Sequence, residues 1–165
     1  MPCMRIGALA VLLTLLCGAA ACTGRAPSVI SPPTGCAADR VIDGDTIVVT
    51  CDAAHIRLLL INTPEIAHPG QVVECGGPEA KAYVESRLPK GAPVRREAGK
   101  RDKDRYGRSL RYIWLGDELL NETLVRQGYA ERYKDAEDRT YEARIIAAEK
   151  LAKAESLGIW RPGCR

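Results

Sequence analysis

The chain has 165 residues, enough for one domain with a sizeable core and some additional sequence. Its 24 Lys and Arg against 21 Asp and Glu leave a net charge of +3, too small an excess to indicate nucleic acid by itself, because distribution matters more than the sum. Phe is absent and aromatic residues make up 5% of the chain, which excludes an extended aromatic stacking platform for single strands.

Residues 1–21 carry one early positive charge at Arg5, an apolar run from Ile6 to Leu16 and then small residues, the layout of a secretory signal. The run is short for a permanent span, which needs about 20 apolar residues. The stretch "GAAAC" resembles a bacterial lipobox, in which Cys22 is lipidated and becomes the new N-terminus. Its departure is Ala19, where a larger apolar residue is usual. Ordinary cleavage after Ala-x-Ala, releasing a soluble protein, is the alternative. "TGRAPSVISPPTG" then reads as a flexible tether. The expected division is a lipoprotein-type signal peptide over 1–21, a tether over 22–35 and a folded domain over 36–165.

Strands are expected over 36–42, 45–51 and 55–61. Between the first two, Asp43-Gly44 reads as a two-residue hairpin loop, since both residue types tolerate φ > 0. That leaves Asp45 opening the second strand, although Asp is disfavoured in strands and seldom buried without a partner. "NTPEIAHPGQVVECGG" is a long loop with two prolines, a feature often tied to function. Pro78 sits at a first helical position, and a helix is expected to about Leu88. Further strands are expected over 93–97 and 109–115, separated by the charged segment "AGKRDKDRYGR". A short helix over 118–127 ends before Gly128, and a last helix over 140–156 is stopped by Gly158. Five short strands with about three α-helices place the domain in the α+β class as a small, closed, five-stranded OB-type β-barrel.

Of the seven cysteines, Cys3 and Cys17 lie in the signal and Cys22 is the candidate lipid site. Cys36, Cys51, Cys75 and Cys164 remain, an even set suited to an oxidising compartment. With Asp43-Gly44 as the hairpin loop, counting outward places Cys36 opposite Cys51, which leaves Cys75 to pair with Cys164. A zinc site is the alternative, but no CxxC spacing is present and the chain has only two His.

Chemistry collects at Asp45, in "RLLLINTPE", in "DRYGR" and at the tyrosines around Tyr133. Oxygens of Asp45, Asn62 and the Thr63 carbonyl could serve a hard cation such as calcium. Taken singly each has a structural reading: Asn-Thr-Pro as a turn, "DRYGR" as a solvated loop. Together, a carboxylate to orient water, two guanidiniums and an oxygen-ligated metal are what phosphodiester hydrolysis requires, since its transition state concentrates charge on nonbridging phosphate oxygens.

"IDGDT", "RLLLINTPE", "GPEA", "DRYGRSLRYI", "NETLVRQGYA" and the terminal "GIW" closely resemble the thermonuclease family, typified by staphylococcal nuclease, over about Arg40 to Trp160. The resemblance implies that Asp45 is a calcium-ligating aspartate and that Thr63 offers its carbonyl to the ion. It implies that Glu65 positions or deprotonates the attacking water, and that Arg57 and Arg108 hold the scissile phosphate. Arg105 and Tyr106 match residues that contact nucleotide phosphates, and Tyr133 lies near a tyrosine that stacks on a base. The family pattern at position 62 most often has a second metal-ligating aspartate. Here it is Asn62, whose amide oxygen can ligate with one formal negative charge fewer, which lowers the expected calcium affinity.

The expected function is therefore an exported, calcium-dependent, sugar-nonspecific nuclease cleaving DNA and RNA to 3′-phosphate products. It would act at the cell surface or in the periplasm through a membrane anchor at Cys22, or be secreted. Nothing in the sequence demands more than a monomer. The rival is a catalytically silent OB-type module that binds nucleic acid or protein. Against it, a pure binding domain needs no water-orienting carboxylate, and the Glu65 charge would repel phosphate.

Overall fold

The computed structural model describes residues 35–66 and 73–164. The expected signal peptide, the lipid site at Cys22 and nearly all of the tether lie outside the described residues. Among the described residues no helix is long and apolar enough to cross a membrane.

The strands are β1 (Ala38–Val41), β2 (Thr46–Val49), β3 (Ile56–Leu58), β4 (Ile61–Asn62), β5 (Arg95–Lys103), β6 (Ser109–Leu115), β7 (Glu118–Leu119) and β8 (Glu131–Arg132). The helices are α1 (Gly77–Arg87), α2 (Leu120–Arg126) and α3 (Glu142–Ala154), followed by a 3₁₀ turn at Gly158–Trp160. The principal sheet runs β1-β2-β3-β6-β5, with β7 added to β6; β4 and β8 form a separate pair. Among the described residues, only the β3–β6 pairing is parallel.

The expected barrel had five strands and was closed; the sheet has six and is not closed by a continuous ladder. Its two edges meet at a single bridge between Ala37 and Pro93. Pro93 has no N–H to donate, so the ladder cannot run on through it. The backbone instead makes individual bonds, Val94 N to Cys36 O at 3.1 Å and Ala38 N to Ala92 O at 2.8 Å.

The first hairpin corrects the expected two-residue loop. Ile42 N donates to Thr46 O at 2.9 Å, so Asp43, Gly44 and Asp45 all lie in the loop. Val41 faces Ile47 and Arg40 faces Val48, one residue out of the expected register. A bulge between Ala38 and Arg40 takes that offset back, and Ala38 faces Val49. Cys36 therefore still meets Cys51, and the two are bonded with Cα atoms 4.9 Å apart. Cys75 and Cys164 are also bonded, as expected, with Cα atoms 5.4 Å apart.

The expected strand over 55–61 is broken. Leu59 and Leu60 form a turn, and Leu60 adopts a φ of 64°, uncommon for a bulky residue. The fully buried Asn121 holds the break in place: its Nδ2 donates to Leu59 O at 2.9 Å while its Oδ1 accepts from Ile113 N at 3.0 Å. The chain leaves this turn in a new direction, and Asn62 pairs with Glu131 on β8 rather than with the principal sheet.

The fifth strand runs to Lys103, well past the expected end at 97, because it pairs along β6 as far as Ser109. Its charged composition, which reads as loop, is the mark of an exposed edge strand. Ile47, Ile56, Leu58, Tyr112, Ile113 and Leu124 fill the core between sheet and helices, and α3 adds Ile145, Ala148 and Ala152 at helical spacing.

Candidate active site

The hairpin loop, the end of β3, the β4 segment and the β5–β6 turn converge on a cleft of about 600 Å³. Asp45, Arg57, Asn62, Glu65, Arg105, Tyr106, Arg108 and Tyr133 all line it. Thr63 lies beside them, buried, with its amide donating to Asp45 Oδ2 at 2.9 Å. Residues up to 88 positions apart in the chain thus share one surface, as the sequence reading requires.

Asp45 is 5% exposed. Its backbone N–H donates to Asp43 Oδ1 at 3.0 Å, an Asx turn that aims the side chain inward. Its carboxylate then accepts from Thr46 Oγ1 at 3.2 Å and lies 2.7 Å from Arg57 Nη1. Burial pushes the Asp45 carboxyl up to about 6; Arg57 opposes the shift, and the neighbouring Asp43 charge adds to it. Gly44 admits this arrangement because a Cβ there would stand 2.8 Å from Thr63 Cγ2 and 2.9 Å from Ala80 Cβ. The glycine of "DGD" is a close-packing glycine rather than a turn glycine.

Arg57, on β3, spreads its guanidinium over three acceptors. Besides Asp45, Nη2 donates to Asn62 Oδ1 at 2.9 Å and Nη1 to Leu58 O at 3.2 Å. Arg108 is held differently. Asp104 accepts from the Arg108 amide at 3.0 Å, from Arg108 Nε at 2.7 Å and from the Tyr106 amide at 2.9 Å. Burial raises the Asp104 carboxyl, but these donors outweigh it and leave the group below its ordinary value. Tyr106 is 68% exposed, with the Arg105 and Arg108 guanidiniums 4.7 and 5.5 Å from its ring centre. Its hydroxyl accepts from Arg105 Nη2 at 2.5 Å. Tyr133 is brought in by its backbone, whose N–H donates to Leu60 O at 2.8 Å.

The sequence reading missed Asp104, Asp43 and the Arg101–Glu137 ion pair, which spans 2.8 Å at the rim of the cleft. Asp104 had a local signal, an aspartate at the head of a Gly-containing turn. Glu137 had none, since it reaches Arg101 only through the fold.

Among the described residues, no group of three or more His, Cys, Asp or Glu side chains is gathered that could hold a metal ion. A cation here would have to lean on the Asn62 amide and the Thr63 carbonyl as well as on Asp45. The donor chemistry suits a hard cation all the same: every candidate atom is oxygen, and Asp43 and Asp45 repel one another in a way positive charge relieves.

The family model described as Staphylococcal nuclease homologue matches residues 55–162. The thermonuclease of Staphylococcus hyicus is 40% identical over 123 residues, covering 73% of this chain and 72% of that protein. The thermonuclease of Staphylococcus intermedius is 37% identical over 123 residues, covering 73% of each. Endonuclease YncB of Bacillus subtilis (strain 168) is 33% identical over 126 residues, 74% of this chain and 59% of its own length.

Proposed function

The chain belongs to the staphylococcal nuclease family, and from that premise we propose that it is a nuclease hydrolysing phosphodiester bonds of both DNA and RNA. The observation that carries the reading is the convergence of two arginines, Arg57 and Arg108, on one cleft that Glu65 also lines. Guanidinium forks bind nonbridging phosphate oxygens bidentately and stabilise the charge that grows there in the transition state. Glu65, exposed on the cleft, orients a water for in-line attack on phosphorus and accepts its proton. Family analogy places the cleavage on the 5′ side of the phosphodiester and leaves 3′-phosphate ends.

Asp45, Asn62 and Thr63 would hold calcium, which supplies positive charge to the phosphate when bound. Arg105, Tyr106 and Tyr133 are assigned to the nucleotides beside the scissile bond, with Tyr106 presenting an exposed ring and a hydroxyl that Arg105 holds. Export is supported by the signal-like sequence and by two disulfides, which persist in oxidising compartments. We further assign a lipid anchor to Cys22, placing the nuclease at the cell surface or in the periplasm.

The test is a nuclease assay of the purified mature protein on DNA and RNA, with calcium and with chelator. Calcium-dependent products bearing 3′-phosphates are expected. Salt-sensitive retention of nucleic acid with no products would identify a binding module instead.

A further inference from the structure

Glu65 is the one proposed catalytic group carried by a loop rather than by the sheet or its hairpin turns. How it is held is therefore decided by its neighbours. Its backbone N–H donates to Glu74 Oε2 at 3.0 Å, and its carbonyl accepts from the Glu74 N–H at 3.0 Å. The two residues close a ring nine positions apart, using one side-chain bond and one backbone bond.

Glu74 is itself fixed from the other side. Its carbonyl accepts from Gly77 N at 3.1 Å, at the start of α1. A Cβ on Gly77 would stand 2.4 Å from Glu65 O, so the helix start presses directly on the Glu65 backbone. The next residue, Cys75, is bonded to Cys164. Beyond it, Gly76 leaves room for the buried Ile159 of the 3₁₀ turn, whose Cγ2 a Cβ there would meet at 2.7 Å. Arg161 adds an ion pair to Glu79 at 3.3 Å. The C-terminal segment thus anchors the strip of chain that carries Glu74.

We propose that Glu74 is a positioning residue for Glu65: with its backbone held by α1 and the Cys75–Cys164 bond, its carboxylate fixes the backbone from which the water-orienting carboxylate projects. The inference rests on the reading of Glu65 given above. Glu74 is not among the residues that line the cleft. It acts through the Glu65 amide, and only the acceptor oxygen matters, so an amide oxygen should serve as well as a carboxylate.

Glu74→Ala and Glu74→Gln in the mature protein separate this role from simple loop stability. Misplacing a catalytic group by about 1 Å can cost up to roughly a hundredfold in rate. Glu74→Ala should therefore lower kcat by on the order of ten- to a hundredfold, with KM nearly unchanged. Glu74→Gln should recover most of the loss. Amide exchange at Glu65, followed by NMR, should accelerate in Glu74→Ala and stay slow in Glu74→Gln. Unchanged kcat in Glu74→Ala, equal losses in both variants, or equal exchange at Glu65 in all three proteins would overturn the proposal. If the wild type cleaves nothing, the nuclease reading fails, and exchange at Glu65 still decides whether Glu74 holds that amide.

Discussion

Arg57 Nη1 lies 2.7 Å from Asp45 Oδ2, so the guanidinium assigned to the phosphate and the carboxylate assigned to the cation form one ion pair. Both side chains are largely buried, and the second arm of the same guanidinium reaches the Asn62 amide oxygen. On those assignments, phosphate binding and cation binding would be coupled through shared atoms rather than across a distance.

Position 62 tests that coupling. Asn62→Asp adds a charged oxygen ligand and should raise calcium affinity by about tenfold, or ~1.4 kcal/mol. The maximal rate need not rise with it, because the same charge tightens its hold on Arg57. Asn62→Ala should weaken calcium binding. Calorimetric calcium titrations of the three proteins with a nucleotide analogue present check this, and equal affinities would remove Asn62 from the ligand set.

Arg108→Ala and Glu65→Gln should each reduce kcat by on the order of a hundredfold or more, the scale seen when transition-state donors are removed. The far-ultraviolet circular dichroism should not change, because both side chains sit at the cleft surface outside the apolar core. Arg108→Ala also frees the Asp104 carboxylate at the cleft, so part of its loss should appear as weaker substrate binding.

Acid should weaken the fold through Asp138. Burial raises its carboxyl, but hydrogen bonds from the Tyr112 hydroxyl and from the Thr140 and Lys100 amides outweigh it, leaving the group below its ordinary value. A depressed folded value means that its contribution is fully present above the unfolded value of about 3.9 and is lost as pH falls through the folded one. In melts at pH 7 and near pH 3, Asp138→Asn should show a smaller drop in Tm than the wild type. Asp138→Ala, which leaves the buried Tyr112 hydroxyl without its acceptor, should cost about 1–3 kcal/mol at pH 7.

The Cys75–Cys164 bond spans a sequence separation of 89 and should stabilise the domain by about 4.6 kcal/mol in the loop-entropy description. Cys164→Ser should lower Tm, and kcat should fall as well, because the bond fixes the chain next to Glu74. Peptide mapping without reductant should recover 36–51 and 75–164 as the linked pairs.

Local side-chain chemistry placed the start of α1 within one residue, at Pro78 where the helix opens at Gly77, and singled out the four cysteines that the structure pairs as expected. The charged turn "DRYGR" and the largely apolar strand that follows it are legible from side-chain type and spacing alone. The fold decided what depends on distant neighbours. Asp43-Gly44 reads as a tight turn, yet Gly44 is required by Thr63 and Ala80, which reach it from other elements. The expected strand over 55–61 breaks at Leu60 because Asn121, far along the chain, ties the Leu59 carbonyl to β6. The run 98–103 has the polarity of a loop and is nevertheless a strand, since β6 offers it a ladder. Spacing along a chain specifies which side of an element a residue occupies. Which backbone groups find partners across the core is set only when all the elements pack together, and in this protein that is what aims Asp45, Arg57 and Asn62 at one another.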